Sequence, residues 1–558
     1  MLYAERPMSR CLVSASLVLL VGCGDDSAVG GALPGGGGSG AAGGGTDGGG
    51  GAAPAAIEWQ ACEAFREFPP TETSETAAAE CATIQVPLDW SEPAGPTIEI
   101  FVKRVPAVEQ PATRQLWMLN GGPGAASVEL DPYLLEWTSG DPQLEVYTTD
   151  FRGVGKSTPL PCSDNDIAVG KTQNCAEDVE SEIGSLDGFT TTQAARDVAE
   201  LIRRTRADAR VTVYGLSFGT YWAHRLLQVE PELADGVVLD SIVPADVDWA
   251  DFSPNADAIA HSFFDVCASD GFCAEKLGAD PWAQAEAFFA LPPASACGAS
   301  LGVSQADLRA VMAQALRKIM TRPLVPALVY RLLRCSPDDE DALANLFQFL
   351  NSLPPEPDGV FALPLYMHIV LSELWPLDPL TIAEYDAIDA ALTIAPSSTG
   401  LFQALWEEWP VTPRDTFAGE IAVTSTPVLM LQGGLDPQTP DFAAAPLIDA
   451  LVGQGNTVLE FPLSPHAIVS GSPLASDPLV HCGALAVLAF AVDGRTTAPA
   501  CLDDLATIDF GDNVDLATQA FDQGSIWEPI AAQSAGSRSP NARATRRALL
   551  ELARDLRR

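Results

Sequence analysis

Three residues of this chain have the types and setting for nucleophilic catalysis: Ser217, Asp436 and His466. Ser217 lies in Gly215-Leu216-Ser217-Phe218-Gly219, preceded by the strand-forming run Val211, Thr212, Val213, Tyr214 and followed by a helical pattern. The pentapeptide G-x-S-x-G alone is a weak signal. Between a buried strand and a helix it presents a serine at the tip of a sharp turn, with glycines giving neighbouring chains room to pass. Asp436 follows the apolar run 427–432, and His466, in Ser464-Pro465-His466-Ala467, follows the run 457–461. Each therefore falls at the carboxyl end of an expected strand, in the order nucleophile, acid, base. In such a set the imidazole takes the serine proton and returns it to the leaving group, while the carboxylate fixes the tautomer and stabilises the imidazolium. His224, on the helix after Ser217, His368 in a helical region and His481 beside Cys482 read as structural.

An acyl-transfer site also needs donors for the developing oxyanion. The apolar run 115–119 ends in Asn120-Gly121-Gly122-Pro123-Gly124, a loop whose glycines let backbone approach a substrate oxygen. The donors expected are the N–H groups of Phe218 and Gly122. A plain Gly-Pro turn is the alternative, and the company of Ser217 decides against it. The strand expected at 144–149 leads into Asp150-Phe151-Arg152-Gly153-Val154-Gly155-Lys156-Ser157, whose glycine spacing fits neither common phosphate-binding pattern. Asp150 and Arg152 are expected to brace this loop by charge-assisted hydrogen bonds.

The elements that must position these residues follow from periodicity. Residues 83–90 and 97–105 read as a hairpin, and 190–204 as an amphipathic helix with a threonine N-cap. Alternating strands and helices predict an α/β class, a mostly parallel sheet with right-handed crossovers, and the chain order serine, acid, base matches that expected of an α/β-hydrolase fold. Residues 244–415 break the alternation with helices and Pro-rich turns, and read as an inserted helical cap. The sheet domain is thus expected in two parts, 57–243 and 416–505. Residues 506–558 form an acidic, then Arg-rich tail, which can lie on an anionic membrane surface or dock on the acidic body; a solvated extension is the default.

With 31 Lys plus Arg against 74 Asp plus Glu, the net charge of −43 argues against a nucleic-acid partner. Arg6 and Arg10 stand at the start of an apolar run, 11–21, that ends in Leu20-Val21-Gly22-Cys23. This reads as a secretory signal over 1–22, too short to span a bilayer. Leu-Val-Gly-Cys is similar to a bacterial lipobox, which makes Cys23 the lipidation site and places the chain in the bacterial cell envelope or outside the cell. Residues 23–56, rich in Gly and Ala, read as a flexible tether. Setting aside Cys11 and Cys23 leaves ten of the 12 cysteines, in sequence-local pairs: Cys62 with Cys81, Cys162 with Cys175, Cys267 with Cys273, Cys297 with Cys335 and Cys482 with Cys501. Sequence does not fix connectivity, but nearest-neighbour disulfides are the expectation in an oxidising compartment. No C-x-x-C pair occurs and the histidines are scattered, so neither a metal site nor a cofactor is expected.

Taken together, VPLDW, NGGPG, DFRGVGKS, GLSFG, GGLDPQTP and the Cys482–Cys501 tail resemble the secreted tripeptidyl aminopeptidases, relatives of the proline iminopeptidases among serine peptidases of α/β-hydrolase fold. The resemblance covers roughly 58–505, most loosely in the cap. It departs at Pro465-His466-Ala467, where the family has Gly-His-Gly or similar, and at Asn120, where proline iminopeptidases have His. The resemblance implies release of short peptides from free amino termini, and nominates Glu373 of SELWP as the cap carboxylate for the substrate ammonium. The function expected is an aminopeptidase working through an acyl-enzyme. An envelope carboxylesterase or lipase on the same triad is the alternative, because the fold does not dictate the leaving group. A non-catalytic binding protein is disfavoured by the presence of nucleophile, base, acid and oxyanion loop together.

Overall fold

The computed structural model describes residues 56–62, 79–162, 172–293, 296–352, 359–396, 398–497, 499–530 and 540–556. The expected signal at 1–22, the lipidation site Cys23 and the tether up to residue 55 lie outside the described residues.

Nine strands form one sheet, in the order β1-β2-β3-β5-β4-β6-β7-β8-β9. They are β1 (Gln60–Ala61), β2 (Glu80–Pro87), β3 (Thr97–Val105), β4 (Arg114–Leu119), β5 (Leu144–Thr149), β6 (Arg210–Leu216), β7 (Gly236–Asp240), β8 (Val428–Gly433) and β9 (Thr457–Phe461). The β1–β2, β2–β3 and β3–β5 pairs are antiparallel, and every pair from β5 to β9 is parallel. The two kinds of strand differ as expected: β5, β7 and β8 are buried at every residue, whereas β2 alternates buried and exposed positions. Side chains of β4 divide between the faces. Trp117 and Leu119 join a core with helices Thr191–Thr205, Phe218–Val229 and Asp441–Gly453, and Leu116 and Met118 join one with helices Asp131–Gly140 and Cys482–Asp493. This is the α/β-hydrolase fold.

Between β7 and β8 the described residues contain helices and no strand. They serve two cores. Helices Leu363–Ile369 and Thr399–Glu408 pack on the sheet, through residues such as Leu365, Ile369 and Phe402. Helices from Phe252–Ser269 to Pro337–Ser352 build a separate core around Phe263, Met312, Leu328 and Leu346. The described residues beyond Leu505 return to this second core: Leu516 and Phe521 of helix Val514–Phe521, Trp527 after it, and Leu549 and Leu552 of helix Pro540–Asp555 close it, each 0% exposed. The reason is the pattern of the Arg-rich helix, which turns Leu549, Leu552 and Ala553 inward while Arg547 stays outside on Glu551 at 3.0 Å. Buried Arg331 fixes the returning chain, donating to Asp339 at 3.0 Å and to the carbonyls of Ile526 (2.6 Å), Ser525 (2.9 Å) and Glu528 (3.0 Å).

The cysteines join as their spacing suggested. Disulfides link Cys62 with Cys81, Cys162 with Cys175, Cys267 with Cys273, Cys297 with Cys335, and Cys482 with Cys501. Each has at least one buried half, while Cys335 is exposed and Cys162 and Cys501 are partly buried. Cys81 is buried among the β4 residues Leu116 and Met118, Cys175 in the core that holds Trp117, and Cys273 in the distal core around Phe263. A sulfur placed in this way packs as an apolar atom while the bond shortens the loop it closes. No described helix is long and apolar enough to cross a membrane.

Candidate active site

Strand β6 runs into helix Phe218–Val229 with Ser217 as the single residue between them, at φ 56° and ψ −126°. A left-handed backbone at a non-glycine residue costs on the order of 1–3 kcal/mol and persists only where its surroundings impose it. Here they do. The Ser217 N–H donates to the Asp240 carbonyl at the end of β7 (2.9 Å), and its carbonyl accepts from the Thr220 N–H (2.8 Å) and Oγ1 (2.6 Å). The flanking glycines are required by space: a Cβ on Gly215 would stand 2.2 Å from the Gly219 carbonyl oxygen, and one on Gly219 would stand 2.1 Å from that of Leu119.

The 120–126 loop after β4 comes directly over this turn, a Cβ at Gly121 falling 3.3 Å from Ser217 Oγ. Asn120, the departure from the His of proline iminopeptidases, is the brace of that loop. Its Oδ1 accepts from the Gly121 N–H (2.8 Å) and its Nδ2 donates to the Ala126 carbonyl (2.9 Å) and Glu129 (3.3 Å). The Gly121 N–H is thereby engaged; Gly122 takes φ 110°, and the Phe218 N–H belongs to the first turn of its helix, whose donors have no partner within the helix. The cap secures the far side of the loop, where Ala362 N–H donates to the Gly124 carbonyl and Ala126 N–H to that of Val360, both at 2.8 Å.

Asp436 follows β8 and is 0% exposed; His466 follows β9. His466 Nδ1 lies 2.8 Å from Asp436 Oδ2 and 3.0 Å from Oδ1. The carboxylate also accepts from the N–H groups of Gln438 (2.9 Å) and Thr439 (3.1 Å) and from Thr439 Oγ1 (2.7 Å). Burial works to raise its pKa, but His466 and the Thr439 donors outweigh that and hold it below the usual carboxylate value. An ionised acid on Nδ1 leaves Nε2 as the acceptor nitrogen.

The remaining predicted residues sort as follows. Asp150 braces its loop, accepting from the N–H groups of Ser127 and Lys156 at 2.8 Å. Arg152 anchors the same loop through partners outside it. Fully buried, it forks onto Asp197 at 2.6 and 2.8 Å and caps the carbonyls of Leu88 and Gly188, because the loop turns its side chain under helix Thr191–Thr205. His224 accepts from the Ala422 N–H at 3.0 Å, and burial, aided by Arg225, lowers its pKa to about 3. Burial lowers that of His368 to about 4. Glu373, 7% exposed, accepts from the Thr191 N–H at 2.7 Å through Oε1, while its buried Oε2 has no hydrogen-bond partner among the described residues. Burial raises its pKa against the pull of Arg225. Asp240, Ser241 and Thr439, which touch the turn of the serine, the loop of the histidine and the acid, were not singled out by sequence; an aspartate ending a buried strand was their one signal.

The sheet order, the serine turn and the acid–histidine pair define a hydrolase fold with the parts of an acyl-transfer site. Comparisons with known proteins agree: a model of the alpha/beta hydrolase fold matches residues 116–275. The chain is 26% identical over 231 residues to the tripeptidyl aminopeptidase of Streptomyces lividans, a match covering 37% of this chain and 42% of that one. It is 25% identical over 272 residues to the serine protease Hip1 of Mycobacterium tuberculosis (42% of this chain, 49% of the relative). With carboxylesterase B of the same organism it shares 29% over 170 residues (28% and 29%). The chain therefore matches less than half the length of each of these curated relatives.

Proposed function

We propose that this chain is an exported serine hydrolase that cleaves short peptides from free amino termini through an acyl-enzyme on Ser217. The observation that carries the reading is the strained serine turn at the end of β6, on the same sheet edge as the Asp436–His466 pair ending β8 and β9. Ser217 Oγ attacks the scissile carbonyl as His466 Nε2 takes its proton, and Asp436 stabilises the imidazolium. The N–H groups of Phe218 and Gly122 receive the oxyanion. His466 then protonates the leaving amine, and water repeats the sequence to release the acid. Similarity to a named aminopeptidase and a named serine protease favours peptides. The buried, unpartnered Oε2 of Glu373 is the acceptor this reading gives to the substrate ammonium. Five disulfides suit an oxidising compartment, and lipidation at Cys23 would tether the enzyme to the bacterial envelope. Similarity to a carboxylesterase keeps an esterase as the second reading.

The test compares hydrolysis of a short peptide amide bearing a free amino terminus with that of its N-acetylated twin, with Ser217→Ala as the control. A strong preference for the free amine, lost in Ser217→Ala, is expected. Equal rates on the two amides remove the aminopeptidase, and brisk ester hydrolysis with neither amide cleaved moves the assignment to esterase.

A further inference from the structure

The turn 240–243, which begins on the last residue of β7, carries no residue of the triad, yet hydrogen bonds from it reach all three triad loops. Toward the nucleophile, the Asp240 carbonyl accepts from the Ser217 N–H (2.9 Å), and the Val243 N–H donates to Thr220 Oγ1 (2.9 Å), which itself donates to the Ser217 carbonyl (2.6 Å). Toward the base, the Asp240 carboxylate accepts from the N–H groups of Ile468 (2.8 Å) and Val469 (3.0 Å), and Ser241 Oγ accepts from that of Ala467 (2.8 Å). These are the three residues that follow His466. Toward the acid, the Ile242 N–H donates to Gln432 Oε1 (3.1 Å), and Gln432 Nε2 donates to the carbonyl of Thr439 (2.7 Å), whose own N–H and hydroxyl hold Asp436.

Two features show that this is a built junction. Asp240 and Ser241 are both 0% exposed, and Tyr214 Oη and Ser241 Oγ add two further donors to the Asp240 carboxylate, at 2.9 and 3.1 Å. A buried carboxylate with four donors is a rigid anchor, since losing any one leaves a desolvated acceptor short of its partners. Ser241 and Ala467, at φ 61° and 66°, are also both left-handed without being glycine, and they are hydrogen-bonded to each other. Strain on both sides of one bond persists only where the surroundings impose it.

We propose that Asp240 and Ser241 are positioning residues of the hydrolase: a clasp that sets the His466 loop in register with the strained Ser217 turn. The inference rests on the proposed role of the triad. Neither residue touches substrate; each acts through the backbone next to His466 and Ser217, so its loss misplaces the base by a fraction of an ångström without emptying the substrate site. Misplacement of this order costs up to about a hundredfold in rate.

Ser241→Gly separates this role from simple stability, because glycine relieves the left-handed strain while removing the hydroxyl that holds Ala467. The expected result is a Tm lowered by no more than a few degrees, because relieved strain offsets part of the lost hydrogen bonds, with KM within twofold of wild type and kcat lowered roughly tenfold on a peptide amide and a nitrophenyl ester alike. The rate at which a fluorophosphonate labels Ser217 should fall in parallel. Asp240→Asn, which turns amide hydrogens toward two of the donors, should lose more. Wild-type kcat in Ser241→Gly, or a loss carried by KM alone, overturns the clasp. Ser217→Ala is run beside it: hydrolysis surviving in that variant overturns the triad reading itself, and the clasp with it, whereas a dead Ser217→Ala with a fully active Ser241→Gly overturns the clasp alone.

Discussion

The sheet edge and the distal helical unit solve the problem of burying polar groups in different ways. At the edge, buried polar atoms serve geometry. Asp240, Asp436 and Ser241 are each 0% exposed, and they hold strained turns and the imidazole in place. In the distal unit they serve cohesion: Arg331 and Asp339, also 0% exposed, pin the returning C-terminal chain to the helices it covers. The first arrangement spends stability on a left-handed serine, the second supplies it. Substitutions at the edge should therefore cost rate with little change in stability, and those in the distal unit the reverse.

The largest effect expected is on rate. Asp436→Asn should lower kcat about 10⁴-fold by favouring the wrong tautomer of His466, with Tm nearly unchanged; retention of activity would remove Asp436 from the triad. Truncation after residue 539 exposes the sites of Leu549 and Leu552 and should lower unfolding stability by about 3–6 kcal/mol. A chain truncated there that melts like the full one would make the Arg-rich helix an ornament. Breaking the distal ion pair with Asp339→Ala leaves Arg331 buried without its carboxylate and should cost about 3–5 kcal/mol, read by denaturant unfolding, while the kcat of the folded fraction stays at wild type. A kcat loss there would join the two regions that the comparison keeps apart.

The smallest effect is one of pH, and it belongs to the sheet side. His224 has its pKa lowered from 6.5 to about 3 by burial, so the unfolded chain takes a proton below pH 6.5 that the folded chain refuses. Stability should therefore fall as pH drops from 6.5 toward 3, by about 2 kcal/mol at pH 5 from this residue. His368, lowered to about 4, adds in the same direction. His224→Gln keeps an acceptor for the Ala422 N–H and should flatten the slope. An unchanged slope would mean that acid acts elsewhere, and thermal unfolding between pH 7 and 5 decides it.

Much of the site was legible because its chemistry is local. A strand, a glycine-flanked serine and a helix are contiguous, and space forces that pentapeptide: a Cβ on Gly215 or Gly219 would stand within 2.2 Å of a backbone oxygen. Asp436 and His466 were found the same way, each ending an apolar run. The partner of Arg152 was not legible for the opposite reason: Asp197 is 45 residues away, beyond the reach of any local pattern.

The sequence by itself determined the α/β order, the inserted helices and the three chemical groups, because periodicity and turn chemistry act within a few residues; it suggested the local disulfide pairs, and the structure joined them. Only the tertiary structure decided that the Arg-rich tail closes the second core, that Asn120 braces the loop over Ser217, and that the 240–243 turn ties nucleophile, base and acid together. Those contacts join residues brought close by strand order: Asp240 and Ile468 are 228 positions apart, and β7 and β9 meet β8 from either side. A hydrogen bond across that distance exists only once the sheet has formed, so no local pattern announces it.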